Sequence, residues 1–163
     1  MSSNVSQEDR LSTLAERARE TLIRSGNCAQ SSFAVLQEEF ELDGGGILRA
    51  LTPFPGMALR GETCGAVVGS IMALGLLYGR DDLEDMRGFI GSLPSARRFC
   101  RRFEERNGGT ACATVLKSRM GRAYDLADSA ESAEYLEAGG AQVCAEVVAG
   151  AVTAAAEVIL RKG

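Results

Sequence analysis

Nearly every apolar stretch of this chain spaces its apolar residues three and four apart, and nearly every such stretch stops at glycine or proline. That is the pattern of amphipathic helices, which bury one stripe and end where the backbone is freed or loses a donor. Ser6 is placed to cap a first helix whose apolar face is Leu11, Leu14, Ala15, Ala18 and Leu22, and "RSGN" ends it. Asn27 then stands as an N-cap with Gln30 three residues on, before a stripe of Ala29, Phe33, Leu36 and Phe40 that stops at "LDGGG". A short helical piece over 47–51 leads into the loop "TPFPGMALRG". Thr63 is expected to cap the next helix, which ends at Gly79. Asp81 and Asp82 should start a charged helix that Pro94 kinks or splits and "NGG" stops. Thr110 is the expected cap of a short helix through Leu116, "KSRMGR" a turn, and 125–136 helical. A last helix should run from near Gly140 to the C-terminus. No stretch alternates like a strand, and no repeat or long linker divides the chain. The expected fold is all-α, a single-domain helical bundle of about six to eight helices. Residues 1–24 would form an N-terminal helix ahead of a cysteine-bearing redox domain over 25–163.

Composition narrows the function. At 163 residues, 45% of them hydrophobic, the chain is long enough to bury a core. Its net charge of −4 argues against a general binder of nucleic acid or of anionic membranes, which needs a basic field. Histidine is absent, which removes the usual neutral-pH general base and the commonest metal ligand. With no evident nucleophile–base arrangement either, a hydrolase is disfavoured. The opening "MSSNVSQEDRLSTLAERARE" is polar, and the longest apolar run, Ala66 to Tyr78, falls short of the roughly 20 residues a membrane span needs. The expected location is cytoplasmic, without membrane insertion, where thiols stay reduced.

The cysteines are five: Cys28, Cys64, Cys100, Cys112 and Cys144. No two form a CxxC pair, so the common zinc-ribbon and ferredoxin patterns are absent. What four of them share is position. Cys28 follows Asn27, Cys64 follows Thr63, Cys112 comes two residues after Thr110, and Cys144 lies about one turn into the last helix. A helix start offers free N–H groups and a positive dipole end, which favour a thiolate. Each such cysteine alone also reads as a small buried hydrophobe. Cys100 differs: it sits mid-helix in "ARRFCRRFEER", beside Ala96, Phe99 and Phe103, as a core or half-buried residue. Arg97, Arg98, Arg101, Arg102 and Arg106 flank that stripe, either as a solvated face or as a docking patch for an acidic partner. Glu62 reads as a proton acceptor standing behind Cys64 or, more simply, as a solvated acid at a helix N-terminus.

The segments "NCAQSSFAVLQEEF", "GETCGAVVGSIMALGLLYG", "FEERNGGTAC" and "GAQVCAEVVAGAVTAAAE" together resemble the C_GCAxxG_C_C family, small proteins assigned a redox role. The resemblance is carried by Cys28, by Cys64-Gly65-Ala66 with Gly69, by Cys112 and by Cys144. Cys100 lies outside the family's four. Family members have a more glycine-rich approach to the second cysteine than the "PFPGMALRGET" found here. The resemblance implies a redox role and some kinship with the iron–sulfur part of split-Soret cytochromes, although no CxxCH haem site is present.

On that reading Cys28, Cys64, Cys112 and Cys144 are the expected metal ligands of an iron–sulfur cluster, whose usual protein ligand set is four cysteines. Gly65 and Gly69 share a helix face with Ala73 and are the expected cofactor-side glycines, letting backbones come close; tight helix packing explains them as well. Two other readings stand beside it. One is a metal-free thiol–disulfide protein, with pairs such as Cys28–Cys64 and Cys112–Cys144. The other is a helical interaction module with a structural four-cysteine zinc or inert thiols. The expected partners are a redox protein and a second copy of the chain, forming a homodimer.

Overall fold

A computed structural model describes residues 6–162. Nine helices follow in order among the described residues: α1 (Gln7–Ser25), α2 (Cys28–Glu39), α3 (Ile47–Ala50), α4 (Gly56–Leu59), α5 (Gly65–Tyr78), α6 (Met86–Asn107), α7 (Cys112–Met120), α8 (Ser129–Glu137) and α9 (Gly140–Lys162). No strand occurs among them; the one extended pairing is an isolated antiparallel bridge between Thr63 and Ala111. The fold is all-α.

α9 is the axis of the bundle, with α1, α2, α5, α6, α7 and α8 all packed against it. Its sequence explains why. The run "AGAVTAAA" carries only small side chains on several faces, so neighbouring helices can close in around it. Val148, Ala151, Val152, Ala155, Ala156 and Val158 are among its fully enclosed residues. α9 is long and apolar enough to cross a membrane by length and composition, yet most of that stretch is buried among the other helices. Phe33, Leu36, Leu14, Phe99 and Phe103 complete the core from α2, α1 and α6.

The caps at the first two helices are those expected. The Ser6 side chain accepts from the Asp9 N–H, Gly26 turns left-handed after α1 at φ 67°, and the Asn27 side chain accepts from the Gln30 N–H. Five boundaries differ, one of them the start of α8, which begins at Ser129 after an Asp128 cap and not at 125. Thr63 is not a cap, because its backbone is in the bridge to Ala111; Cys64 itself occupies the N-cap of α5, without a side-chain capping bond. Thr110 is not a cap either: its carbonyl accepts the Cys64 N–H at 2.7 Å, and Ala111 takes the N-cap of α7. That helix runs on through "KSRM" to Gly121. α6 starts at Met86, where the Asp85 side chain accepts from the Gly88 N–H, and not at Asp81. It then continues through Pro94 as one helix. The carbonyl that loses its donor there belongs to Ile90, and both residues are on the exposed side, where water has access to the freed carbonyl.

Helix α4 is unusual. Gly56, Met57, Ala58 and Leu59 all have positive φ, 56°, 53°, 63° and 60°, so this single turn is left-handed. It is closed by N–H donation from Ala58 to Pro53 and from Leu59 to Pro55, both at 2.8 Å, and from Arg60 to Gly56 at 3.0 Å. Three of its residues carry a Cβ, and each is strained by roughly 1–2 kcal/mol in this conformation.

Candidate functional site: a four-thiol cavity

One partly open, mainly apolar cavity of about 370 Å³ is lined by Cys28, Cys64, Cys112 and Cys144. Leu22, Pro55, Leu59, Val115, Tyr135 and Val147 are among the residues that complete its wall. Cys100 lies elsewhere, in a shallow groove along α6 with Arg97 and Arg101. All five cysteines are free thiols.

Each of the four is delivered by a different device. Cys28 is the first residue of α2, directly after the Asn27 cap. Cys64 and Cys112 come from the two sides of the Thr63–Ala111 bridge. The Cys64 N–H donates to the Thr110 carbonyl, the Cys112 N–H donates to the Glu62 carbonyl at 2.5 Å, and the Ala113 N–H donates to Gly61 at 3.1 Å. Two cysteines distant in sequence are therefore held side by side by main-chain bonds. Glu62 contributes that carbonyl and leaves its carboxylate exposed. Cys144 projects from the second turn of α9, where Tyr135 on α8 reaches its Sγ at 2.9 Å.

Glycines set the clearances. A Cβ on Gly65 would collide with the Cys28 Sγ and come within 2.8 Å of the Ala29 nitrogen, so Gly65 is what lets Cys28 approach Cys64. A Cβ on Gly69 would collide with the Ser32 Oγ and the Ala29 carbonyl oxygen, so Gly69 seats α2 directly on α5. Neither glycine lines the cavity; both place the helices that do. Gly56 stands close on the other side, where a Cβ would lie 3.5 Å from that of Cys112.

The thiols are not alike. The Cys64 thiol donates to the Cys28 sulfur, and with the N–H groups of Gly65, Cys28 and Ala66 it holds Cys28 below its usual range against the opposing effect of burial. Cys64, as that donor and deeply buried, is pushed well up. Burial raises Cys112 to about 12 and Cys144 to about 11, the latter moderated by the Tyr135 hydroxyl. The expectation that helix starts would favour a thiolate thus holds for Cys28 alone. At Cys64 the hydrogen bond it gives Cys28 and then burial raise it, and at Cys112 and Cys144 desolvation wins; each also feels the charge of a neighbouring thiol. No three His, Cys, Asp or Glu side chains among the described residues converge closely enough to hold a single metal ion.

Tyr135 was not visible as a site residue in the sequence, since "SAEYLE" reads as an ordinary surface helix. Its hydroxyl lies 2.8 Å from the Gly140 carbonyl as well as 2.9 Å from Cys144. Its ring fills the space that a Cβ at Gly140 would need.

Fold and site together define a helical protein built around a cavity of four reduced cysteines. The chain belongs to the C_GCAxxG_C_C family, described as "Putative redox-active protein", whose model matches residues 26–158. That match contains all four cavity cysteines. No solved structure and no curated protein matches the chain.

Proposed function

We propose that the protein carries electrons on an iron–sulfur cluster held by Cys28, Cys64, Cys112 and Cys144. The observation that supports this most is that one cavity collects these four thiols and leaves out the fifth. Four cysteines are the common donor set for such clusters. The apolar wall would exclude water, and the Tyr135 hydroxyl would donate to the Cys144 sulfur, both of which tune potential. A bound cluster supplies reversible one-electron transfer.

A second reading rests on one contact. Cys28, favoured as thiolate, touches the Cys64 thiol. Oxidation of that pair to a disulfide would release two electrons and the Cys64 proton to an acceptor. Anaerobic purification followed by an absorption spectrum with iron, sulfide and zinc analysis separates the readings. Stoichiometric iron and sulfide support the cluster; a colourless, metal-free protein whose thiols oxidise reversibly supports the dithiol; zinc alone or unreactive thiols overturn both. Alanine at Cys28, Cys64, Cys112 or Cys144 should sharply lower iron per chain, and Cys100→Ala should leave it near wild type. Loss at Cys100 with retention at any of the four would overturn the ligand assignment.

A further inference from the structure

Eight of the thirteen exposed large hydrophobic side chains lie between Met72 and Leu93. Such residues are ordinarily scattered singly, and a concentration of them marks an interaction surface. Five sit on α6 or just before it. Leu83 is 79% exposed, Met86 58%, Phe89 44%, Ile90 59% and Leu93 39%. No residue of α6 before Ser95 is buried. Met86, Ile90, Leu93, Arg97 and Cys100 alternate spacings of four and three, which puts them on one stripe like the seam of a coiled coil. The groove of Leu93, Ala96, Cys100 and Glu104 continues it.

The charges on this face are ordered. Asp81, Asp82, Glu84 and Asp85 precede the apolar stretch, and Arg97, Arg98 and Arg101 follow it; all seven are exposed. Among the described residues none of the seven makes an ion pair, whereas Arg102 is taken up by Glu157. The face is acidic, then apolar, then basic.

We propose that this face binds the same face of a second copy of the chain. The two α6 helices would lie antiparallel about a two-fold axis near Gly91 and Ser92. Such an interface is self-complementary, every contact occurring twice. Ile90 then meets Leu93 of the second copy, and Leu83 reaches the groove beside Cys100. Asp82 comes opposite Arg101. A purely acidic partner would match the arginines and repel the aspartates; only a surface with the reverse order satisfies both ends, and the two-fold image of this face has it. No α6 residue lines the thiol cavity, so the pairing is independent of what the thiols hold.

Sedimentation equilibrium of the reduced full chain under anaerobic conditions tests this. The expected mass is twice the 17.2 kDa of one chain. Ile90→Asp with Leu93→Asp should give a monomer with unchanged helical circular dichroism. Arg101→Glu should weaken the dimer on the order of tenfold, and adding Asp82→Arg to the same chain should restore it. These last two positions are exposed, so they decide the matter if the apolar pair disturbs folding. A chain still monomeric at ~0.1 mM overturns the proposal. So does a dimer that survives with both aspartates folded in place, or a charge swap that fails to restore association.

Discussion

The Tyr135 hydroxyl has one proton and two acceptors within reach, the Gly140 carbonyl at 2.8 Å and the Cys144 sulfur at 2.9 Å. With Cys144 protonated, the phenol satisfies Gly140 and the thiol donates to the phenol oxygen. With Cys144 ionised, the phenol proton belongs to the sulfur. Tyr135→Phe should therefore raise the Cys144 pKa above its value of about 11 and slow its alkylation at alkaline pH. Losing the bond to Gly140 should cost about 1 kcal/mol, read as a lower urea midpoint. Unchanged alkylation of Cys144 in the variant would show that the hydroxyl does not serve the sulfur.

The pH dependence of the reduced, metal-free protein should be dominated by a loss of stability on the alkaline side. Cys112 and Cys144 are raised from 9.0 to about 12 and about 11, and Cys64 is raised as well. A raised acid stays protonated in the folded chain while the unfolded chain ionises, so its contribution is full below pH 9 and is lost as pH climbs toward the folded value. Between pH 8 and 10 the first two should together cost on the order of 2 kcal/mol. Cys28 runs the other way, its contribution present above its unfolded pKa and lost on acidification through its lowered one. Thermal melts under anaerobic reduction should therefore fall from pH 8 to 10; a flat profile would contradict the buried, protonated state of these thiols.

Gly69 and Gly75 lie on the same helix and should respond oppositely to alanine. At Gly69 the added methyl runs into α2, which should cost about 1–3 kcal/mol and, by lifting α2, move Cys28 away from Cys64. The readouts are the urea midpoint and faster loss of the Cys28 thiolate character in alkylation. At Gly75 nothing stands within 4 Å, and alanine should gain about 0.5–1 kcal/mol of helix propensity.

The left-handed turn offers a third kind of test. Ala58→Gly removes the Cβ strain at φ 63° and should raise stability by about 1 kcal/mol, measured by urea unfolding. The same change at Ala66, in a right-handed helix and fully buried, should lower it.

Much of this was legible in the sequence. Asn27, the stripe of α2 and the small-residue run of α9 declare themselves because each is a local pattern. The grouping of Cys28, Cys64, Cys112 and Cys144 against Cys100 came from their order and motif, not from any rule of distance. What escaped was non-local. Thr63 and Thr110 look like caps, and only the long-range pairing of Thr63 with Ala111, in which the Thr110 carbonyl takes the Cys64 N–H, removes both from that role. "PFPGMALRG" announces a loop, but nothing in Met57, Ala58 or Leu59 announces a left-handed turn. Tyr135 matters because α8 folds back on α9, which its own segment does not encode. Pro94 looked like a break because the cost of a missing donor depends on whether water can take its place.

The bridge at Thr63 and Ala111 has a consequence for how the site gains and loses whatever it holds. Closing a loop between residues as far apart as Cys64 and Cys112 costs chain entropy, and in small metal domains that cost falls due at binding, so the fold comes and goes with the ion. Here backbone bonds made during folding meet it beforehand. If the cavity holds a cluster as proposed, a receptacle preorganised in this way would be loaded and stripped with its walls still standing, a durable host rather than one refolded with each guest.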